Sequence, residues 1–164
     1  MKENYCILAG GCFWCIAMPY YELDGVLKVY SGYGGGEEVN PTYKDVKNQM
    51  TSHKECIKII YDEDKVSFEK LLNIYFDHIN PFDSEGQFID RGESYTTAIF
   101  YRDEEMLKIA KQLVNKIELE TNKKVEVKLL KETTFYLAEE EHQEYGLKNP
   151  EDIEKELKES GRKQ

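Results

Sequence analysis

Two cysteines three residues apart, Cys12 and Cys15, enclose Phe13 and Trp14 and follow the pair Gly10-Gly11. The apolar run Tyr5 to Ala9 before them has strand length, and the stretch after them, to Leu23, has room for about three helical turns. Strand, glycine turn and helix start put Cys12 at a helix N-terminus, where unsatisfied N–H groups and the helix dipole favour an anion. A thiol there is expected to ionise below its free value of ~8.5. Cys15 falls about one turn further along the same face. Such a thiolate can attack an electrophilic sulfur, a sulfoxide being one example. Displacing the sulfoxide oxygen needs proton donors, because oxide is a very poor leaving group. The candidates are Glu55 and Asp90, as carboxyls kept protonated by burial, and the phenols of Tyr33 and Tyr95. Phe13 and Trp14 would wall an apolar pocket for a methyl or thioether group. The oxygen would leave as water, Cys12 would end as a sulfenic acid, and Cys15 could condense with it to a disulfide. Helical i, i+3 neighbours hold their Cβ atoms ~5–6 Å apart, whereas a disulfide wants ~3.8 Å. The first helical turn must therefore adjust for the bridge to close.

The elements that must position these residues are legible along the chain. Val26 to Ser31 reads as a strand closed by the glycine-rich turn Gly32-Tyr33-Gly34-Gly35-Gly36. Pro41 to Val46 opens a short helix, and Glu55 to Asp62 is β-branched and strand-like. Ser67 N-caps a helix to about His78, its apolar stripe being core. Asn80 to Gly92 is loop-like, and Ser94 to Tyr101 is a strand. Asp103 N-caps a long amphipathic helix to about Glu120, and Val125 to Leu130 is another strand. A short acidic helix carries His142, and Pro150 starts a last helix whose charge-dense continuation, 151–164, reads as a solvated face or frayed tail. Strands alternating with helices, without repeat, low-complexity stretch or linker, predict one α/β (α+β) domain: a mixed sheet with flanking helices.

A net charge of −10 argues against nucleic acid or an anionic membrane as partner. Tyr5 to Tyr21 is uncharged and nearly of membrane-spanning length, yet its two glycines, proline and two cysteines fit a core strand, turn and helix better. The basic n-region and cleavage site of a signal peptide are missing, so a cytoplasmic protein is expected. Four cysteines in such a chain suggest redox or metal chemistry more than a disulfide framework.

Gly11-Cys12-Phe13-Trp14, Gly32-Tyr33-x-Gly35-Gly36 and Pro41-Thr42-Tyr43 follow one another in a specific order. Thr51-x-His53-x-Glu55, Tyr61-Asp62 and Asp90-x-Gly92-x-x-Tyr95 come next, then Phe135-Tyr136-x-Ala138-Glu139-x-x-His142-Gln143-x-Tyr145 and Asn149-Pro150. This ordered set, spanning roughly residues 5–150, resembles the A-type peptide methionine sulfoxide reductases. The resemblance implies a two-layer α/β plait and reduction of the S epimer of methionine sulfoxide, free or in peptides and proteins, as a repair of oxidised protein. It implies a catalytic domain over 1–150 followed by the charged segment 151–164. It implies regeneration by thioredoxin or another thiol, no metal, no organic cofactor and a monomer. Carried over by position, Cys12 is the nucleophile, and Phe13 and Trp14 hold the substrate methyl. Glu55 gives its proton to the sulfoxide oxygen, Tyr33 and Tyr95 hydrogen-bond that oxygen, and Asp90 supports the site.

Many members of that family have glycine at the position of Cys15 and keep resolving cysteines in a C-terminal tail. Here no cysteine follows Cys56. Cys15 is the first candidate for resolution and Cys56 the second; direct reduction by an external thiol is the third. Adjacent strand residues face opposite ways, so Cys56 turns away from the site if Glu55 faces it. Cys6 reads as buried apolar filler. Ser52 and Lys54 replace the usual glycine and alanine around His53, and Glu93-Ser94 replaces a Thr-Gln pair. His53 and His142 read as structural. Two rival readings remain at this level. Cys12, Cys15, His53 and Cys56 have the types of a Cys₃His zinc set, and Cys-x-x-Cys between strand and helix suits a thioredoxin-like disulfide exchanger.

Overall fold

In the computed structural model, whose described residues are 1–162, the chain opens with strand β1 (Glu3–Gly10) and turns at Gly11. It then enters α1 (Phe13–Ala17), a helix of five residues continued by a 3-10 turn over Met18–Tyr20. The expected three helical turns are cut short because Pro19 has no N–H to carry an α-helical ladder forward. Strand β2 (Val26–Gly34), α2 (Tyr43–Lys47), β3 (Lys54–Asp62) and α3 (Phe68–His78) follow. A two-residue hairpin, β4 (Gly86–Gln87) and β5 (Asp90–Arg91), interrupts the loop expected there. Then come β6 (Thr97–Tyr101), α4 (Glu104–Thr121), β7 (Lys128–Lys131), β8 (Tyr136–Leu137), α5 (Tyr145–Lys148) and α6 (Pro150–Ser160).

Six strands form one sheet in the order β7-β6-β1-β3-β2-β8. Only β6 and β7 run parallel, joined by the crossover helix α4; the other pairs are antiparallel. The mixed α/β domain expected from the sequence is what forms. The N-caps hold as well. Ser67 Oγ accepts from the Lys70 N–H at 3.0 Å, and Asp103 Oδ1 accepts from the Met106 N–H at 2.8 Å.

Both faces of β1 are covered, which is why Cys6 to Ala9 is buried without alternation. Cys6 and Leu8 face the larger core, built on Phe13, Ile16, Leu71 and Tyr75. Ile7 and Ala9 face a smaller one with Cys56, Ala98 and Phe100, closed by Tyr5, Leu130 and Phe135. Cys6 is the inert filler expected of it, its thiol pushed up to about 12 by burial.

Three local expectations are corrected. The glycine tract expected as a turn is strand through Gly34, because β3 pairs with Gly32, Tyr33 and Gly34 on one side and β8 with Gly32 and Tyr33 on the other. A Cβ at Gly32 would stand 2.2 Å from the Phe135 ring, so only glycine lets the two segments approach. The strand expected from Ser94 begins at Thr97, since Glu93–Tyr95 winds into a 3-10 turn after Gly92, whose φ is +118°. Over 151–162 the solvated face expected there forms, but the frayed tail does not. Ile153, Ser160 and Arg162 are buried, and α6 packs on α1 and α5; residues 163 and 164 lie outside the described residues.

Candidate active site

The turn Gly10-Gly11 delivers Cys12 to the N-cap position of α1, where its carbonyl accepts the Cys15 and Ile16 N–H groups at 3.2 and 3.1 Å. Gly11 holds φ +86°, and a Cβ there would strike the Arg162 guanidinium and the Gln87 side chain. Cys12 is 7 % exposed. It packs with Cys15, Met18 and Trp14 against Ile153 and Leu157 of α6.

The expectation of a lowered Cys12 pKa is overturned. Interaction with the neighbouring Cys15 thiol and burial hold Cys12 well above the ordinary thiol range. A helix of five residues offers only a short dipole, and this is not enough against a desolvated site beside a second thiol. Cys12 therefore rests as a thiol.

β3 brings Glu55 under this turn. The Phe13 N–H donates to Glu55 Oε1 at 3.1 Å, while Oε2 is buried without a partner among the described residues. Burial, then the proximity of Cys12, raises Glu55 well above the ordinary carboxylate range. The site therefore favours the protonated carboxyl. Oε1 is engaged as an acceptor, so the acidic proton belongs on Oε2. Strand alternation turns the next residue, Cys56, to the smaller core on the other face, where its thiol bonds the Lys54 carbonyl at 3.3 Å. Resolution by Cys56 would require its sulfur to cross the sheet.

The phenols divide differently from expectation. The Tyr33 hydroxyl is buried and donates to Glu139 Oε1 at 2.7 Å, so its proton is committed. Glu139 Oε2 accepts the Tyr43 N–H at 3.0 Å. Burial alone would raise Glu139, but the bonds from the Tyr43 N–H and the Tyr33 hydroxyl outweigh it and keep the carboxylate charged. The hydroxyls of Tyr43 and Tyr95 have no hydrogen-bond partner among the described residues. Burial first, and then Glu55, raises both, so both remain protonated donors. The sequence reading held Tyr43 only as part of a motif and passed over its phenol. Asp90 is half-buried on β5, raised by burial against the opposing charges of Arg162 and Lys47.

An aromatic wall stands beside the thiol. Trp14 stacks on Tyr145 with centroids 3.9 Å apart, and Tyr43 lies 4.0 Å from the His142 ring. The Trp14 Nε1–H donates to His142 Nδ1 at 3.2 Å. Burial lowers the His142 pKa, which keeps Nδ1 free to accept. Gln143 fixes this segment to β2, exchanging bonds with the Ser31 N–H and carbonyl at 2.8 and 2.9 Å. Phe13 is wholly buried behind these rings, whereas Trp14, Tyr43 and Tyr145 keep part of their surface exposed.

His53 is structural: Nδ1 accepts the Gly36 N–H at 3.2 Å and Nε2 lies 2.7 Å from the Glu38 carbonyl. With both His53 nitrogens occupied and Cys56 on the other face, the Cys12, Cys15, His53 and Cys56 set is not assembled. The substitutions around the site pair with one another. Lys54 Nζ, buried, meets Glu93 Oε1 at 2.7 Å and Thr96 Oγ1 at 2.6 Å. Ser52 Oγ donates to Glu38 Oε1 at 2.7 Å.

Residues 4–164 match the family model described as peptide methionine sulfoxide reductase. The chain belongs to the peptide methionine sulfoxide reductase family. It is 45 % identical over 152 residues to the peptide methionine sulfoxide reductase MsrA of Bacillus licheniformis, covering 92 % of this chain and 84 % of that one. It is 47 % identical over 149 residues to MsrA of Streptococcus mutans, with 88 % and 87 % covered. Among solved structures, Mxr1 of Saccharomyces cerevisiae in reduced form superposes with a TM-score of 0.84 at 27 % identity, over 92 % of this chain and 87 % of that one. This reductase is thus an enzyme acting on methionine sulfoxide, and the disulfide-exchange reading falls away. No helix among its described residues is long and apolar enough to cross a membrane.

Proposed function

We propose that the reductase converts methionine-S-sulfoxide, free or within proteins, to methionine at Cys12, as a repair of oxidised protein. The observation that carries the assignment of roles is Glu55: a buried carboxyl, one oxygen tied to the Phe13 N–H and the other unpartnered next to the thiol turn. The sulfoxide methyl rests against Trp14, with Phe13 as the rigid backing. Tyr43 and Tyr95 donate to the sulfoxide oxygen, Tyr33 braces Glu139 instead, and Asp90 supports the site. As Cys12 sulfur attacks the sulfoxide sulfur, Glu55 protonates the oxygen. The net reaction takes thiol and sulfoxide to sulfenic acid and thioether. The Cys15 thiol then condenses with the sulfenic acid, releasing water and leaving a Cys12–Cys15 disulfide. Thioredoxin or another thiol reduces that bridge. No metal or organic cofactor enters this scheme. The groups that make and break bonds lie within 1–150, and residues 151–162 pack beside them. A cytoplasmic monomer without nucleic-acid or membrane partners completes the reading.

Single-turnover reduction of the separated sulfoxide epimers, with mass mapping of oxidised cysteines, tests it. Product from the S epimer alone with a Cys12–Cys15 disulfide is expected. Product with Cys12 left as sulfenic acid would remove Cys15 as resolver. Product from the R epimer alone would overturn the stereochemical assignment.

A further inference from the structure

We propose that Arg162, carried past the end of α6, is a positioning residue of the reductase: it pins the glycine turn that presents Cys12 and supplies a buried positive charge against which the Cys12 thiolate forms. This rests on Cys12 being the nucleophile.

Three observations carry it. Arg162 is 4 % exposed, although it follows a charge-dense helix. Its guanidinium donates to the Gly10 carbonyl at 2.6 Å and to the His78 carbonyl at 3.0 Å, and lies over the Phe88 ring at 4.8 Å. The first of these carbonyls ends β1, two residues before the nucleophile, so the side chain ties α6 to the turn itself. Gly11 has to be glycine partly because the Arg162 guanidinium stands 2.6 Å from where its Cβ would be. The third observation is Arg162 Nε, a buried donor without a partner among the described residues. A guanidinium whose two terminal nitrogens hold carbonyls while its Nε–H has no partner is suited to an anion that forms beside it only during the reaction. Ile153 and Leu157 of α6 bring this segment onto Cys12 and Cys15 directly.

The charges around Cys12 make such a cation necessary. From α1 comes the Cys15 thiol, from β3 the protonated Glu55, and from β5 Asp90. The phenols of Tyr43, Tyr95 and Tyr145 complete the ring. Each of these groups is neutral or negative when it titrates, and each opposes a thiolate. Two cations face them: Lys47 of α2 acts on Glu55 and Asp90, and Arg162 acts on Asp90, Cys15 and Cys12 itself. Burial lowers the Arg162 pKa, while Cys15, Cys12 and Asp90 push it back up.

The experiment measures the pH profile of Cys12 alkylation by iodoacetamide, site-mapped by mass, in wild type, Arg162→Gln and Arg162→Lys. Arg162→Gln is expected to raise the midpoint by about one pH unit and slow alkylation at pH 7 about tenfold. Arg162→Lys should stay within about 0.3 units of wild type, since it keeps the charge. A glutamine profile superimposed on that of wild type, even with a lowered Tm, would reduce Arg162 to a structural latch and overturn the proposal. If Arg162→Gln loses its near-ultraviolet Trp14 signal, and hence its fold, Arg162→Lys decides: a midpoint raised by a full unit despite the retained charge also overturns it. Alkylation needs no sulfoxide, so this result is independent of whether the substrate assignment holds.

Discussion

The Phe13 N–H donates to Glu55 Oε1 at 3.1 Å, and that one bond orients the buried carboxyl from the residue next to Cys12. The helix start that presents Cys12 thus also fixes which carboxyl oxygen keeps the proton. Glu55→Gln preserves the acceptor but removes the acid. Its single-turnover rate should fall about 10²–10⁴-fold, the usual worth of a general acid. Stopped-flow fluorescence of Trp14 or quenched product analysis would show it, and a rate equal to wild type would end the proton-donor role.

Glu55 also sets a pH dependence of stability. Its native pKa is raised by burial, so between the unfolded carboxylate pKa and the raised native one the folded state binds more protons than the unfolded state. Stability contributed by the neutral acid is full below the unfolded pKa and is lost as pH rises through the native pKa. Thermal melts of wild type and Glu55→Gln should therefore diverge in favour of the variant from about pH 4.5 upward. A constant difference from pH 4 to pH 8 would contradict a neutral native Glu55.

The two cysteines separate chemistry from recycling. Cys12→Ser should abolish sulfoxide reduction. Cys15→Ser should keep one turnover per enzyme and lose most thioredoxin-driven cycling. Because Cys56 lies across the sheet, Cys56→Ser should cycle as wild type. Steady-state NADPH consumption coupled to thioredoxin reductase measures all three, and unimpaired cycling in Cys15→Ser would favour direct reduction by the external thiol.

Tyr43 and Tyr95 should behave alike and Tyr33 differently. Removing either free phenol, as Tyr43→Phe or Tyr95→Phe, should lower kcat/KM about tenfold or more. Tyr33→Phe breaks the 2.7 Å bond to charged Glu139 and should cost about 1.5–3 kcal/mol of stability, with a smaller effect on the chemical step. Denaturant titration beside kinetics distinguishes the two patterns. An equal kinetic loss in Tyr33→Phe without loss of stability would return that phenol to the substrate.

Lys54 and Glu93 should be coupled. Glu93→Thr strands a buried ammonium and should destabilise by about 1–3 kcal/mol, the exposed side of the pair moderating the cost. The double variant Lys54→Ala, Glu93→Thr removes both charges and should recover part of that loss. A double-mutant cycle giving additive effects would show that the pair is independent.

What the sequence determined by itself was local and periodic. Ser67 and Asp103 announced their helices because a cap hydrogen bond spans three residues. Glu55 and Cys56 could be assigned to opposite faces because a strand alternates strictly. The ordered motifs from Gly11 to Pro150 identified the family before any contact was known. The tertiary structure decided whatever depends on residues distant in the chain. Tyr33 and Tyr43 are both phenols in motif positions, and only the position of Glu139, brought in by the segment after β8, commits one and frees the other. The thiol pKa of Cys12 reversed its expected direction because desolvation and the Cys15 thiol act over a packed site that helix position alone does not describe. The charge-dense end of the chain looked solvated because its few apolar residues fall on one helical face. Docking that face against α1 buried Arg162 against the glycine turn that presents Cys12.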